Sequence, residues 1–240
     1  MHRIGFSTGA LARGDFREAL RILKRHDIEA VELSALRAAE LPPLAEAIPT
    51  LDLTPFSFVS IHAPSRFGRE QEGPVLERLS RLAEQGFPVV VHPDVIYTIE
   101  EWRKLGDRLL IENMDRRKPV GRTVGELRRY FDELPKARFC FDIGHARQVD
   151  PSMTEAALLL SAFAGRLAEI HISEVNTASR HDPISTNAMH AFGSVLSEVP
   201  DNTPVIIESL IDEGQSDIET EIGRARGALA RVEAVAGLAG

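Results

Sequence analysis

Phe139-Cys140-Phe141-Asp142-Ile143-Gly144-His145 reads as a buried strand that ends on an acid and then turns through a glycine to a histidine. Asp142 and His145 stand three positions apart across that turn. A carboxylate and an imidazole leaving one strand end together suit a divalent metal. The same two residues also fit a plainer role, an Asp capping the next helix with a His on its first turn. The rest of the chain bears on the choice, because other apolar runs also end in His, Asp or Glu.

Working outward, short apolar runs at 3–7, 28–33, 56–62, 88–92, 108–112, 138–142, 167–173 and 203–208 read as strands. Between and after them lie stretches of helical period at 15–26, 36–48, 74–85, 99–105, 124–134, 154–166, 187–199 and 216–235. Phe16, Ala19, Leu20 and Leu23 share one helical face, as do Val75, Leu76, Leu79 and Leu82. The run at 88–92 is apolar and β-branched, as a strand buried on both faces should be. This alternation demands a parallel sheet covered by helices. Eight strand-then-helix units in 240 residues predict a single (β/α)8 TIM barrel spanning residues 1–240. A doubly wound open sheet is the other reading, but it requires no acid or His at the end of nearly every strand. No linker or low-complexity tract divides the chain, and the polar stretch 174–185 reads as a long loop after the seventh strand.

Composition narrows the function classes. Hydrophobic content of 43% and charged content of 27% are ordinary for a soluble globular protein. A net charge of −8, from 28 basic and 36 acidic residues, does not favour nucleic acid as a partner. The lone Cys140 excludes an intrachain disulfide and fits a reducing cytoplasm; between two Phe residues it reads as a small core residue. The first residues run straight into a strand with no signal-peptide pattern, and no apolar run is long enough to cross a bilayer. The expectation is a cytoplasmic protein acting on a small molecule.

In a parallel barrel the site lies at the carboxyl ends of the strands. Those ends carry Glu32 and Ser34, His62, His92, Glu112-Asn113, Asp142 with His145, His171 with Glu174 and His181 beyond, and Glu208. Clustered carboxylates repel one another, and divalent cations relieve that repulsion. Mixed His, Asp and Glu ligation suits zinc, manganese or iron better than calcium or magnesium. Side-chain alternation supports the placement: Asp142 inward puts Cys140 inward and leaves Phe139 and Phe141 facing the helices. Likewise Glu112 puts Leu110 inside, His92 puts Val90 inside, and Glu208 puts Ile206 inside. His171 puts Glu169 inside, which requires either a basic partner such as Arg3 at the barrel floor or a bulge in the strand.

This pattern resembles the xylose isomerase-like barrel superfamily, which contains endonuclease IV and many sugar isomerases and epimerases. The resemblance covers essentially the whole chain and rests on strand order as well as motifs. It implies that His62 and His92 hold one metal with Glu112 as the bridge. It implies that Glu112, Asp142, His171 and Glu208 hold a second, a set the sugar epimerases share. His145 and His181 resemble two ligands of a third. There the family pattern has Asp-Arg-His, and this chain has Ser179-Arg180-His181, so the third ligand differs and Asp182 or water would have to substitute. After His62-Ala63-Pro64 come Ser65-Arg66, where endonuclease IV carries the apolar and aromatic pair that wedges into DNA. With 6% aromatic residues, abasic-site DNA is a poor fit as substrate.

Three functions remain open at this level. One is a phosphoester hydrolase whose two or more metals share Glu112; His62 and His92, superfluous to a one-metal isomerase, tip the balance toward it. The second is a sugar or sugar-phosphate isomerase or epimerase with one metal, in which Glu112 and Glu208 face each other and move a proton from carbon. The third is a binding protein without turnover. Glu32, Arg66 and Arg180 are candidate substrate contacts, Arg116 reads as a solvated surface charge, and Glu174 and Asn176 are candidates for orienting a ligand histidine. His2, His26 and His190 have no strand-end placement and read as structural.

Overall fold

Gly5 sets how closely the first two strands approach, because a Cβ there would lie 1.7 Å from the carbonyl oxygen of Ala30. The computed structural model describes residues 2–12, 14–197, 199–211 and 217–230. In chain order the elements begin with β1 (Ile4–Ser7), α1 (Thr8–Ala12), α2 (Phe16–Leu23), β2 (Ala30–Ser34), α3 (Leu41–Ala47) and β3 (Phe58–His62). They continue with α4 (Arg69–Glu84), β4 (Val89–Val91), α5 (Ile99–Trp102), β5 (Leu109–Glu112), α6 (Val124–Glu133), β6 (Arg138–Asp142) and α7 (Ile143–Val149). The chain then forms α8 (Thr154–Phe163), β7 (Leu167–Ile172), β8 (Glu174–Val175), β9 (His181–Asp182), α9 (Thr186–Leu196), β10 (Val205–Ile207) and α10 (Ile218–Leu229).

Eight of these strands form a closed parallel barrel in the order β1-β10-β7-β6-β5-β4-β3-β2. The pairing of Ile4 with Val205 closes it, which excludes the open doubly wound sheet. The outer layer, between sheet and helices, is the main apolar core. Phe139 and Phe141 face it, with Phe139 5.5 Å from the Phe163 ring and 6.1 Å from the Phe131 ring, centroid to centroid. Inside the barrel, Val90, Leu110 and Cys140 form a separate small cluster with Ala168 against it. Alternation therefore predicts the inward faces of β4, β5 and β6 correctly.

The expected trouble on β7 resolves as an irregularity in pairing. Phe139 pairs with Leu167 but Cys140 pairs with Glu169, so Ala168 is the extra residue. Glu169 is fully buried inside and accepts a hydrogen bond from Ser60 Oγ at 2.8 Å. Arg3 is not its partner; it reaches the Asn202 carbonyl and lies over the Phe58 ring.

Several helix starts are capped as their sequences dictate. Asp15 accepts from Arg17 and Glu18 amides, Thr123 from the Glu126 amide, and Ser185 from the Ala188 amide. Some elements depart from the sequence reading, and α7 (Ile143–Val149) adds a helix before the one expected at 154–166. The short helix α1 follows β1 directly. Helix α4 starts at Arg69 and holds Pro74 inside it, near enough to its start that only an early hydrogen bond is forfeited. The stretch 174–185 is a hairpin, with β8 and β9 paired antiparallel, rather than a plain loop. Of the helices expected at 187–199 and 216–235, residues 198, 216 and 231–235 lie outside the described residues.

Candidate metal centre

Asp142 ends β6, and its two oxygens have different surroundings. Its Oδ1 accepts the His145 amide at 2.6 Å and so caps α7. Its Oδ2 is buried, has no hydrogen-bond partner, and lies 3.3 Å from His145 Nδ1. The capping reading and the ligand reading of this stretch are therefore compatible, because a carboxylate has two oxygens. Gly144 makes the turn possible: a Cβ there would meet the Ser173 carbonyl oxygen at 2.4 Å.

Glu112, at the end of β5, is the hub. Its Oε2 lies 3.1 Å from His92 Nε2 and 3.3 Å from His62 Nε2. Its Oε1 lies 3.3 Å from His145 Nδ1 and 3.5 Å from His171 Nδ1. Glu208, just past β10, lies 3.5 Å from His171 Nδ1 through Oε1 and 3.4 Å from His181 Nδ1 through Oε2. Asn113 braces the centre. Its side chain donates to the Asp142 carbonyl at 2.7 Å and accepts the Asp142 amide at 2.8 Å, and its own carbonyl sits 3.0 Å from His145 Nδ1.

Four sets of ligand atoms lie within 4.8 Å of one another: His62, His92 and Glu112; Glu112, Asp142, His171 and Glu208; Asp142, His145 and His181; and Glu32, His62 and His171. The donor chemistry fits divalent cations. With Nδ1–H of His62 donating to the Ala63 carbonyl at 2.7 Å, its Nε2 presents a lone pair toward Glu112 Oε2. Two acceptors facing each other need a proton or a cation between them. Asp142 Oδ2, Glu208 Oε2 and both His171 nitrogens are likewise buried without hydrogen bonds. Residues that fit zinc- or manganese-type ions are thus in place.

The electrostatics are those of a crowded pocket. Burial pushes Glu112 up, yet the imidazoles of His92, His145, His171 and His62 around it hold it well below the usual carboxylate range. Burial and the neighbouring carboxylates Glu112, Asp142 and Glu32, against the pull of His171, push Glu208 up to about 8. Burial would lower His62 and His145, but the surrounding carboxylates raise them to about 9 and about 10. Burial and then His145 bring His181 down to about 4.

The mouth above the centre is a cavity of about 210 Å³, lined by Ser7, Ser34, Leu36, Arg180, His181 and Glu208 among others. A larger cleft of about 560 Å³ beside Tyr97, Tyr130 and Arg129 holds none of the clustered groups. The eight residues expected as ligands, His62, His92, Glu112, Asp142, His145, His171, His181 and Glu208, all fall in the four sets. Of the three expected substrate contacts, Arg180 lines the mouth and lies 3.3 Å from Asp182. Arg66 is exposed and does not line the cavity. Glu32 is fully buried, beneath the mouth, with Oε2 3.2 Å from His171 Nε2. Around the altered third set, Ser179 Oγ is tied to Gln148 at 3.1 Å and Asp182 to Asn176 at 2.7 Å, so it is Asp142 that groups with His145 and His181. Glu174 binds Arg147 and the Ser185 amide, and Asn176 binds the hairpin, so neither touches a clustered histidine by hydrogen bond. Ser173 does, with Oγ 2.9 Å from His181 Nδ1, and sequence reading missed it.

An eight-stranded parallel barrel whose strand ends converge acids and imidazoles is a TIM barrel with a candidate metal centre. The chain belongs to the xylose isomerase-like TIM barrel family, whose model matches residues 93–231. Among curated proteins none matches the sequence. Solved structures share the fold. A structure of L-ribulose 3-epimerase is 15% identical, with a TM-score of 0.58 over 94% of this chain and 86% of the other. The structure described as AsfvAP:AG is 10% identical, with a TM-score of 0.62 over 95% of this chain and 99% of the other. No helix among the described residues is long and apolar enough to cross a membrane.

Proposed function

We propose that this protein is a divalent-metal-dependent hydrolase of small phosphoesters, with two or more ions sharing Glu112. The observation that carries this reading is the division of the Glu112 carboxylate: one oxygen faces His62 and His92, the other His145 and His171. A one-metal centre has no use for His62 and His92 as ligands. Bound divalent cations would supply Lewis acidity, activating water and drawing charge from a phosphoryl oxygen. Glu112 would be shared between two sets, Asp142, His171 and Glu208 would complete the second, and His145 with His181 would make a third around Asp142. Arg180 at the rim is placed to pair with a phosphate. The mouth, at about 210 Å³, is smaller than the roughly 300–1,000 Å³ of pockets that hold drug-sized ligands, which supports a small substrate.

One observation favours a second reading, sugar isomerisation or epimerisation. Glu112, at the end of β5, and Glu208, just past β10, both lie 3.5 Å from His171 Nδ1 and so approach the centre from two different strands. Two carboxylates placed in this way could shuttle a proton at carbon. The test combines metal analysis of protein purified without chelator with two assays. Two or more equivalents and phosphate release from small phosphoesters support the hydrolase. One equivalent with proton exchange beside a ketose carbonyl in deuterated water supports the isomerase. Absence of bound metal after zinc or manganese addition overturns both.

A further inference from the structure

The interior of a TIM barrel is ordinarily filled by branched apolar side chains. Here β4, β5 and β6 obey that rule with Val90, Leu110 and Cys140. The layer facing them does not. Glu32 on β2 pairs in register with Ser7 on β1 and Ser60 on β3, and Glu169 enters from β7. Two carboxylates thus lie fully buried beneath the metal centre, and among the described contacts neither has a Lys or Arg partner. Burying such groups is costly unless they are paired, so their presence calls for a partner of opposite or donating character.

That partner is His171. Its Nδ1 faces upward, 3.5 Å from both Glu112 and Glu208, and its Nε2 faces down, 3.2 Å from Glu32 Oε2 and 3.5 Å from Glu169 Oε1. A neutral imidazole has one N–H and one lone pair, so fixing the proton on one nitrogen turns the other into a ligand. Glu32 is the nearer acceptor, and its other oxygen is held by Ser34 Oγ at 3.1 Å, itself 2.6 Å from Ser7 Oγ. Glu169 Oε1 is already taken by Ser60.

We propose that Glu32 is a positioning residue. Its Oε2 and His171 Nε2, both buried without a hydrogen bond, lie 3.2 Å apart; with a cation held by Glu112, Asp142 and Glu208, Glu32 would accept the Nε2–H and leave Nδ1 as the ligand atom. The inference rests on the metal-centre reading and deepens it. Carboxylates that orient a ligand histidine in this way are worth roughly 10–100-fold in metal affinity.

The experiment titrates full-length wild type, Glu32→Gln, Glu32→Ala and Glu169→Gln with cobalt(II), reading affinity, stoichiometry and the visible spectrum. Glu32→Gln keeps an acceptor oxygen but loses the charge, and should weaken binding about tenfold; Glu32→Ala should approach about 100-fold, both at unchanged stoichiometry under saturation. Glu169→Gln should lie within a few fold of wild type. Equal affinity in wild type and Glu32→Gln overturns the proposal, as does a larger effect from Glu169→Gln. Loss of a whole equivalent at saturation in Glu32→Gln would make Glu32 a ligand and overturn it too. Should the variants fail to fold, nitrogen NMR of zinc-loaded wild type decides: His171 holding zinc through Nδ1 and keeping its Nε2–H is expected, and the ring turned the other way, with Nε2 on zinc and Nδ1–H kept, refutes. If wild type itself binds no cobalt, it is the metal-centre reading that fails.

Discussion

Replacing Asp142 by Asn separates the cap its Oδ1 provides from the ligand role proposed for its Oδ2. An amide oxygen can still accept the His145 amide and cap α7, but it is a neutral and weaker ligand where Oδ2 now stands unpartnered. In metal-free protein Asp142→Asn should therefore melt close to wild type, since one of several crowded carboxylates is removed. Asp142→Ala loses the cap as well, about 0.5–2 kcal/mol. At roughly 2–4 °C per kcal/mol for a chain of this size, that lowers its melting temperature by roughly 1–8 °C. The zinc-dependent part differs. At a free zinc concentration of about 100 times the wild-type dissociation constant, binding stabilises the fold by about 2.7 kcal/mol, a rise of roughly 5–11 °C. Loss of a direct ligand should weaken binding by at least the roughly 100-fold that the strongest indirect effects reach. The same zinc then gives only about 0.4 kcal/mol, a rise of roughly 1–2 °C. The assay is thermal unfolding with and without zinc. If Asp142→Asn keeps the full zinc shift while Asp142→Ala alone loses stability, Asp142 is a helix cap and nothing more.

His92→Ala should lower zinc stoichiometry by one and abolish phosphoester hydrolysis; an unchanged metal count with only KM raised would mark His92 as a substrate contact. Gly144→Ala should destabilise by about 1–3 kcal/mol and weaken zinc binding, because its Cβ would strike the Ser173 carbonyl and shift α7; denaturant unfolding with and without zinc reports both. Glu72 accepts hydrogen bonds from the Tyr97 and Thr98 amides and from Trp102 Nε1, so Glu72→Ala should cost about 3 kcal/mol or more by denaturant unfolding. Burial raises Glu72, but these donors outweigh it and hold its pKa below the unfolded value. Its contribution is accordingly full above the unfolded pKa and lost as pH falls through the folded one. The stability difference between pH 7 and pH 3 should shrink in Glu72→Gln, and an unchanged difference would contradict this role.

The barrel was legible because eight strand-then-helix units alternate and nearly every strand ends in a residue that a packed core has no reason to place there. Once Asp142 faces inward, the pleat forces Cys140 inward and Phe139 outward, as observed. What stayed hidden depends on contacts between distant loops. Asn113 was visible only as the neighbour of Glu112, and its clamp on the Asp142 backbone exists because β5 and β6 end side by side. Ser173 had no motif to announce it. Glu32 was read as a mouth residue because it precedes the end of β2, but the closed ring sets it a layer deeper, against His171. Arg66 shows the converse limit, since a charged residue near a strand end can point to solvent. Pro74 suggested a helix start, whereas the Gln71 side chain accepts the Gly68 amide and starts α4 earlier.

Anomalous diffraction at the zinc edge, from crystals of protein grown with zinc and no chelator, tests the shared role of Glu112 most directly. Two peaks should flank its carboxylate, one beside His62 and His92 and one beside Asp142, His171 and Glu208. A map with no peak there, or with one peak and His62 and His92 both left free of it, would contradict the multinuclear centre.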